Sequence, residues 1–186
     1  QVQARGATTT AVERPLRVAG VDFSGARDAR ENVWIAECER AADGLCLRSL
    51  APASERLDPT GADPAATAHA VSRFVRDHPG AVGVDAPFSL PAPVVRELGH
   101  ETWREVVRWV AAHDDASAFD AACQAATPGD RTYARRAVDD RLDSFSPYHF
   151  FVKRQTYHAV GGVLAPLVAD DAARVLPFAL DGGGDG

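Results

Sequence analysis

Two short apolar runs end alike. VAGVDFSGA sets Asp22, and AVGVDAPFS sets Asp85, behind four largely apolar residues. An ionised carboxylate in such a place is costly unless it is paired, hydrogen-bonded or bound to a cation. If the runs are neighbouring parallel strands, both carboxylates emerge at the carboxyl edge of a sheet, where α/β proteins place their sites. Carboxylates a few ångströms apart repel each other, and a divalent cation is the simplest relief. The plainer alternative is that each Asp caps the turn after its strand.

Other residues could serve the same edge. Arg131, Arg135 and Asp139 recur every four residues, so a helix over 130–143 would align them on one face. That face either directs a carboxylate at metal and guanidinium groups at phosphate, or carries an exposed Arg135–Asp139 ion pair. Lys153, Arg154, Gln155, Tyr157 and His158 lie beside the aromatic run Tyr148, His149, Phe150 and Phe151. Base stacking next to phosphate contacts is one interpretation, and core aromatics with solvated charges is the other. His158 has the ordinary titration range of a general acid or base, or else a structural role. Ser24 and Gly25 form a loose phosphate-type turn after Asp22, in which Ser24 donates and Gly25 permits close backbone approach.

The elements that must position these residues are legible from periodicity. LRVAGVDF (16–23) is too short for a helix and suits a buried strand. NVWIAECE (32–39) and LCLRSL (45–50) read as two more, the latter with Leu45, Leu47 and Ser49 on one face. Short turns join the three, which predicts an antiparallel meander. A helix over 65–78 follows, with Asp63 as cap and Pro64 in its first turn. AVGVDAPF (81–88) is a fourth strand, parallel to the first. Then come helices over 94–112, 116–126 and 130–143, an apolar-periodic stretch over 155–169, and a last strand at VLPFAL (175–180) weakened by Pro177. Residues 1–15 read as disordered, 16–180 as one domain and 181–186 as a flexible tail.

This order predicts an α/β fold of ribonuclease-H-like type: a mixed sheet with a three-strand antiparallel meander, a parallel fourth strand and helices packed on it. A Rossmann fold would need a helix directly after the first strand and a G-x-G-x-x-G loop, and Gly20 to Gly25 lacks that spacing.

Composition sets outer bounds. The 186 residues suit one domain with tails, and 46% hydrophobic with 25% charged residues is ordinary for a globular protein. A net charge of −6 argues against a broadly basic nucleic-acid coat. Of the 20 basic residues only Lys153 is Lys, which with the Ala, Val, Asp and Gly richness reads as the codon bias of a GC-rich genome. Cys38, Cys46 and Cys123 lack C-x-x-C spacing and predict free thiols in a reducing cytoplasm. No apolar run approaches a membrane span or a signal peptide, and the absence of Met reads as a processed or trimmed product.

GVDFSGA, VGVDAPFSLP and SPYHFFVKRQTYHAVGGVLAPL resemble, in this order, the blocks of the family catalogued as domain of unknown function 429. That family is a set of predicted ribonuclease-H-fold nucleases, and the resemblance covers roughly residues 16–178. It implies Asp22 and Asp85 as metal-ligand carboxylates, with Asp139 in RRAVDDRLDSFSPY as a third acid and Asp140 as its close alternative. The expected activity is that of a nuclease-like hydrolase of phosphodiester bonds in a nucleic acid or nucleotide. Mg²⁺ or Mn²⁺ would be its cofactor, as two ions about 3.5–4 Å apart bridged by Asp22. Ser24, Arg131, Arg135, Lys153, Arg154 and His158 are the candidate substrate contacts. Family members often continue with a further strand bearing another acid, whereas this chain fades into a Gly- and Asp-rich tail, as a weakened enzyme or truncated gene would. Two alternatives stand beside the nuclease: a nucleotide- or phosphate-binding module of the actin-like ATPase and sugar-kinase type, and a non-catalytic scaffold retaining the fold.

Overall fold

The computed structural model describes residues 16–57, 61 and 63–178. The expected disordered segment 1–15 and tail 181–186 lie outside them. In chain order the elements are β1 (Arg17–Asp22), α1 (Ala29–Asn32), β2 (Trp34–Ala41), β3 (Gly44–Pro52), α2 (Ala53–Arg56), α3 (Pro64–Asp77) and β4 (Ala81–Asp85). They continue with α4 (Ala92–Glu97), α5 (Trp103–Ala111), α6 (Ala116–Ala125), α7 (Ala137–Arg141), α8 (Lys153–Tyr157), a π-helical segment (His158–Leu164) and α9 (Ala165–Ala169).

The fold is α/β. One sheet has the order β3-β2-β1-β4, with β1, β2 and β3 antiparallel and β4 parallel to β1. Asp63 caps α3 as its sequence predicts, its carboxylate accepting from Ala66 N at 2.8 Å. Gly80 lets β4 start close against β1, since a Cβ there would meet the Arg17 carbonyl oxygen.

Among the described residues only one face of the sheet is packed. Val21, Phe23 and Ile35 join Ala68 and Val71 of α3 in a first core cluster. The near-continuous helix from Lys153 to Ala169 lies between this cluster and a second one. Ala159, Val163 and Leu167 face the first, whereas Val160, Leu164 and Val168 face the helical layer of Val94, Val106, Val107, Val110 and Phe119. Each set is spaced by four residues and the two are offset by one, about 100° around the axis, so the helix is apolar on two adjoining sides and is buried by both. Gly162 permits this, because a Cβ there would sit 2.6 Å from Ala68 Cβ.

The other sheet face stays open. Register places Gly20 and Asp22 of β1, Trp34 and Ala36 of β2, Leu45, Leu47 and Leu50 of β3, and Gly83 and Asp85 of β4 on it. Trp34 and the three leucines are exposed.

Four expectations need correction. Ser49 does not share a face with Leu45 and Leu47: a register shift at Glu37/Cys38 pairs Cys38 with Leu47 but Glu37 with Ser49, so the extra residue, Arg48, moves Leu50 onto the leucine face. The helix expected over 94–112 is two helices, because Gly99 adopts φ +71° and Thr102 with Glu105 forms a capping box that starts α5 afresh. The helix expected over 130–143 is reduced to α7, since Pro128 and Gly129 (φ +77°) open an irregular stretch pinned by the Tyr148 hydroxyl, which accepts from Ala134 N at 2.6 Å. Residues 175–178 form turns instead of a strand, with Phe178 stacked on Trp103 at 4.4 Å; 179 and 180 lie outside the described residues.

The three cysteines are free. Cys38 and Cys46 lie on opposite faces of the β2–β3 pair, and burial pushes the Cys123 thiol far up. Among the described residues no helix is long and apolar enough to cross a membrane.

Candidate active site

Parallel pairing brings Asp22 and Asp85 directly opposite each other. Adjacent strands lie about 4.8 Å apart, and directly paired residues point to the same face. Both side chains therefore project together from the carboxyl edge of the open face, and both residues are exposed. Among the described residues neither carboxylate takes part in an ion pair or accepts a hydrogen bond, so neither acts as a turn cap. Gly20, Ala36, Leu50 and Gly83 floor an open depression beside them, with Trp34 at its end.

Gln155 ties the two strand ends together. Its side-chain amide donates to Phe23 O at 2.7 Å and to Asp85 O at 2.9 Å. One α8 residue thus holds the backbone next to Asp22 and that of Asp85 itself. Arg154 Nε donates to Gly25 O at 2.8 Å, which fastens the DFSGA turn to the same helix. Gly25 is required at this seam, because a Cβ would lie 2.3 Å from Gln155 N. The close approach that Gly25 permits is therefore to the protein's own helix. Ser24 Oγ accepts from Ala26 N at 3.2 Å and shapes the turn.

Asp22 also borders a polar cleft of about 530 Å³ with Ser24, Gly25, Asn32, Phe151, Arg154 and Gln155. The Arg154 guanidinium has no carboxylate partner among the described residues and is the one cation of this cleft.

The remaining candidate residues go elsewhere. Asp139 is 2% exposed and fully engaged: Arg136 Nε and Nη2 donate to it at 2.9 and 2.7 Å, Arg136 N at 3.0 Å and Ser144 Oγ at 3.4 Å. Burial opposes its ionisation, but these donors outweigh burial and hold its carboxyl below the usual range. Asp140 is exposed on α7. Arg131 and Arg135 precede α7, so the shared helix face with Asp139 does not form, and Arg135 pairs with Asp143 at 3.2 Å. Lys153 is committed to Asp120 at 2.6 Å in a largely buried pair, to which Gln124 adds a hydrogen bond. His158 opens the π-helical segment half-buried. Burial, then Arg154, pushes its pKa down, with Asp63 opposing.

Among the described residues no three or more His, Cys, Asp or Glu side chains gather to hold a metal ion. The Asp22–Asp85 pair remains, and its donor set suits one hard cation that keeps several waters, as Mg²⁺ does when bound by one or two carboxylates. It does not fit two bridged ions, which need further carboxylates. Sequence reasoning missed the role of Gln155, whose partners lie 132 and 70 residues away, and the capture of Lys153 by Asp120. The one available signal for Gln155 was its place between Arg154 and Tyr157 in the block that resembled a family motif.

No protein-family model, no curated protein and no solved structure matches this chain.

Proposed function

We propose that the protein is a hydrolase of phosphodiester bonds of ribonuclease-H-like type, acting at the Asp22–Asp85 edge with one divalent cation. The observation that carries this is the exposed carboxylate pair, in register on adjacent parallel strands and without a protein partner among the described residues. The sheet order β3-β2-β1-β4, with a meander followed by a parallel strand, accords with the fold assignment.

Asp22 and Asp85 hold the cation. Mg²⁺ or Mn²⁺ bound there would supply Lewis acidity and an activated water. Gln155 fixes the separation of the two carboxylates by gripping the backbone of both strand ends. Arg154, anchored through Nε, turns its remaining N–H donors to a phosphate in the polar cleft. Asp139, Lys153 and Arg135 keep their own ion-pair partners and serve stability.

A second reading, a phosphate-binding module without hydrolysis, draws on the polar cleft around Ser24 and Arg154. Gly25 weighs against it, since the helix backbone already occupies its close approach.

Cleavage of single- and double-stranded DNA and RNA with Mg²⁺ or Mn²⁺, by wild type and Asp22→Asn, separates these readings. Hydrolysis by wild type alone supports the hydrolase; equal activity in both removes Asp22 from the chemistry. Saturable phosphate or nucleotide binding without cleavage favours the module.

A further inference from the structure

The segment between α7 and α8 displays aromatic rings that the core does not use. Phe145, Phe150 and Phe151 are 50%, 65% and 73% exposed, although a phenyl ring in water forgoes a large burial gain. They are not scattered. Phe145 stacks on His149 at 4.5 Å and 17°, Phe151 lies 5.6 Å from Phe145 and 5.4 Å from His149, and Phe150 lies 5.5 Å from Phe151. Tyr133 backs His149 at 4.8 Å. The result is a shelf of rings held against one another with faces and edges still in water.

The shelf is joined to the acidic edge. Phe151 lines the same polar cleft as Asp22, Ser24 and Arg154. An aromatic face, a guanidinium with no carboxylate partner among the described residues and an acidic pair around one cleft match the repeating chemistry of a nucleic-acid strand: base, phosphate, scissile ester. We propose that the substrate is an unpaired nucleic-acid strand, with a base stacked on Phe151 and the adjoining phosphate at Arg154. This rests on the phosphodiester hydrolase reading and adds the substrate class. Only an unpaired base offers its face to a ring, and stacking tolerates any base. The net charge of −6 provides no broad basic surface to follow a duplex backbone.

Fluorescence anisotropy of the whole chain in EDTA, with labelled oligo(dT), oligo(U) and a blunt DNA duplex, tests this without turnover. Single strands should bind at least about tenfold tighter than the duplex. Phe151→Ala should weaken single-strand binding about tenfold, Phe151→Trp should retain it, and Arg154→Ala should flatten the salt dependence. Phe151 is too exposed for its replacement to unfold the protein, and melting curves verify that. Equal binding of duplex and single strands, no binding of either, or wild-type binding by Phe151→Ala overturns the inference. Hydrolysis of bis(p-nitrophenyl) phosphate without strand binding would overturn the strand inference alone. Ring-dependent strand binding without cleavage of any ester would uphold it while the hydrolase reading fell.

Discussion

Asp139 is sealed beneath the Arg136 guanidinium, with a backbone N–H and the Ser144 hydroxyl completing its coordination. Asp22 and Asp85 stand side by side in water, without a protein donor among the described residues. All three were candidate ligands, and only the last two have lone pairs to offer. A carboxylate that the fold has satisfied is stabilising and chemically silent, whereas two left adjacent and unsatisfied repel each other until something positive arrives. Availability, rather than acidity, separates the candidate site from the structural one.

The comparison can be broken from either side. Asp22→Asn and Asp85→Asn should each lower kcat for ester cleavage by about a thousandfold, roughly 4 kcal/mol of barrier, with the melting temperature unchanged or raised as repulsion is relieved. Asp139→Asn should do the reverse. It leaves the half-buried Arg136 guanidinium without its counter-charge, costing about 2 kcal/mol and lowering the melting temperature on the order of 6 °C, while cleavage per folded molecule stays near wild type. Circular dichroism melts and a cleavage assay on the same samples check both. Equal damage to activity from all three variants would erase the distinction.

A smaller effect tests the seam that holds the pair. Gln155→Ala removes two hydrogen bonds of about 1 kcal/mol each and should lower kcat about tenfold as the strand ends loosen. The smallest effect is in pH. The pKa of His158 is lower in the folded chain than its ordinary 6.5, so the unfolded chain takes up the proton first. Stability should therefore decline as pH falls below about 6.5 until the folded value is passed. His158→Gln should flatten that part of the curve in urea titrations at stepped pH.

The sheet and the acid pair were legible because they rest on local signals. Four apolar residues followed by Asp, twice, mark two strand ends at one sheet edge, although the link from β1 to β2 holds α1 where a short turn was expected. What escaped depended on distant partners or single-residue events. The spacing Arg131, Arg135, Asp139 looked helical, but the irregular stretch before α7 gave Asp139 to Arg136, three residues away. One extra residue, Arg48, exchanged Ser49 for Leu50 on the open face. Lys153 stood as a candidate phosphate contact because nothing local shows Asp120, 33 residues earlier, turning to meet it.

The most direct measurement is calorimetric titration of Mn²⁺ into the wild type, Asp22→Asn, Asp85→Asn and Asp139→Asn. One saturable site, lost in the two strand-end variants and retained in Asp139→Asn, is the predicted result. Absence of saturable binding in the wild type, or binding that survives Asp22→Asn and disappears in Asp139→Asn, would contradict it.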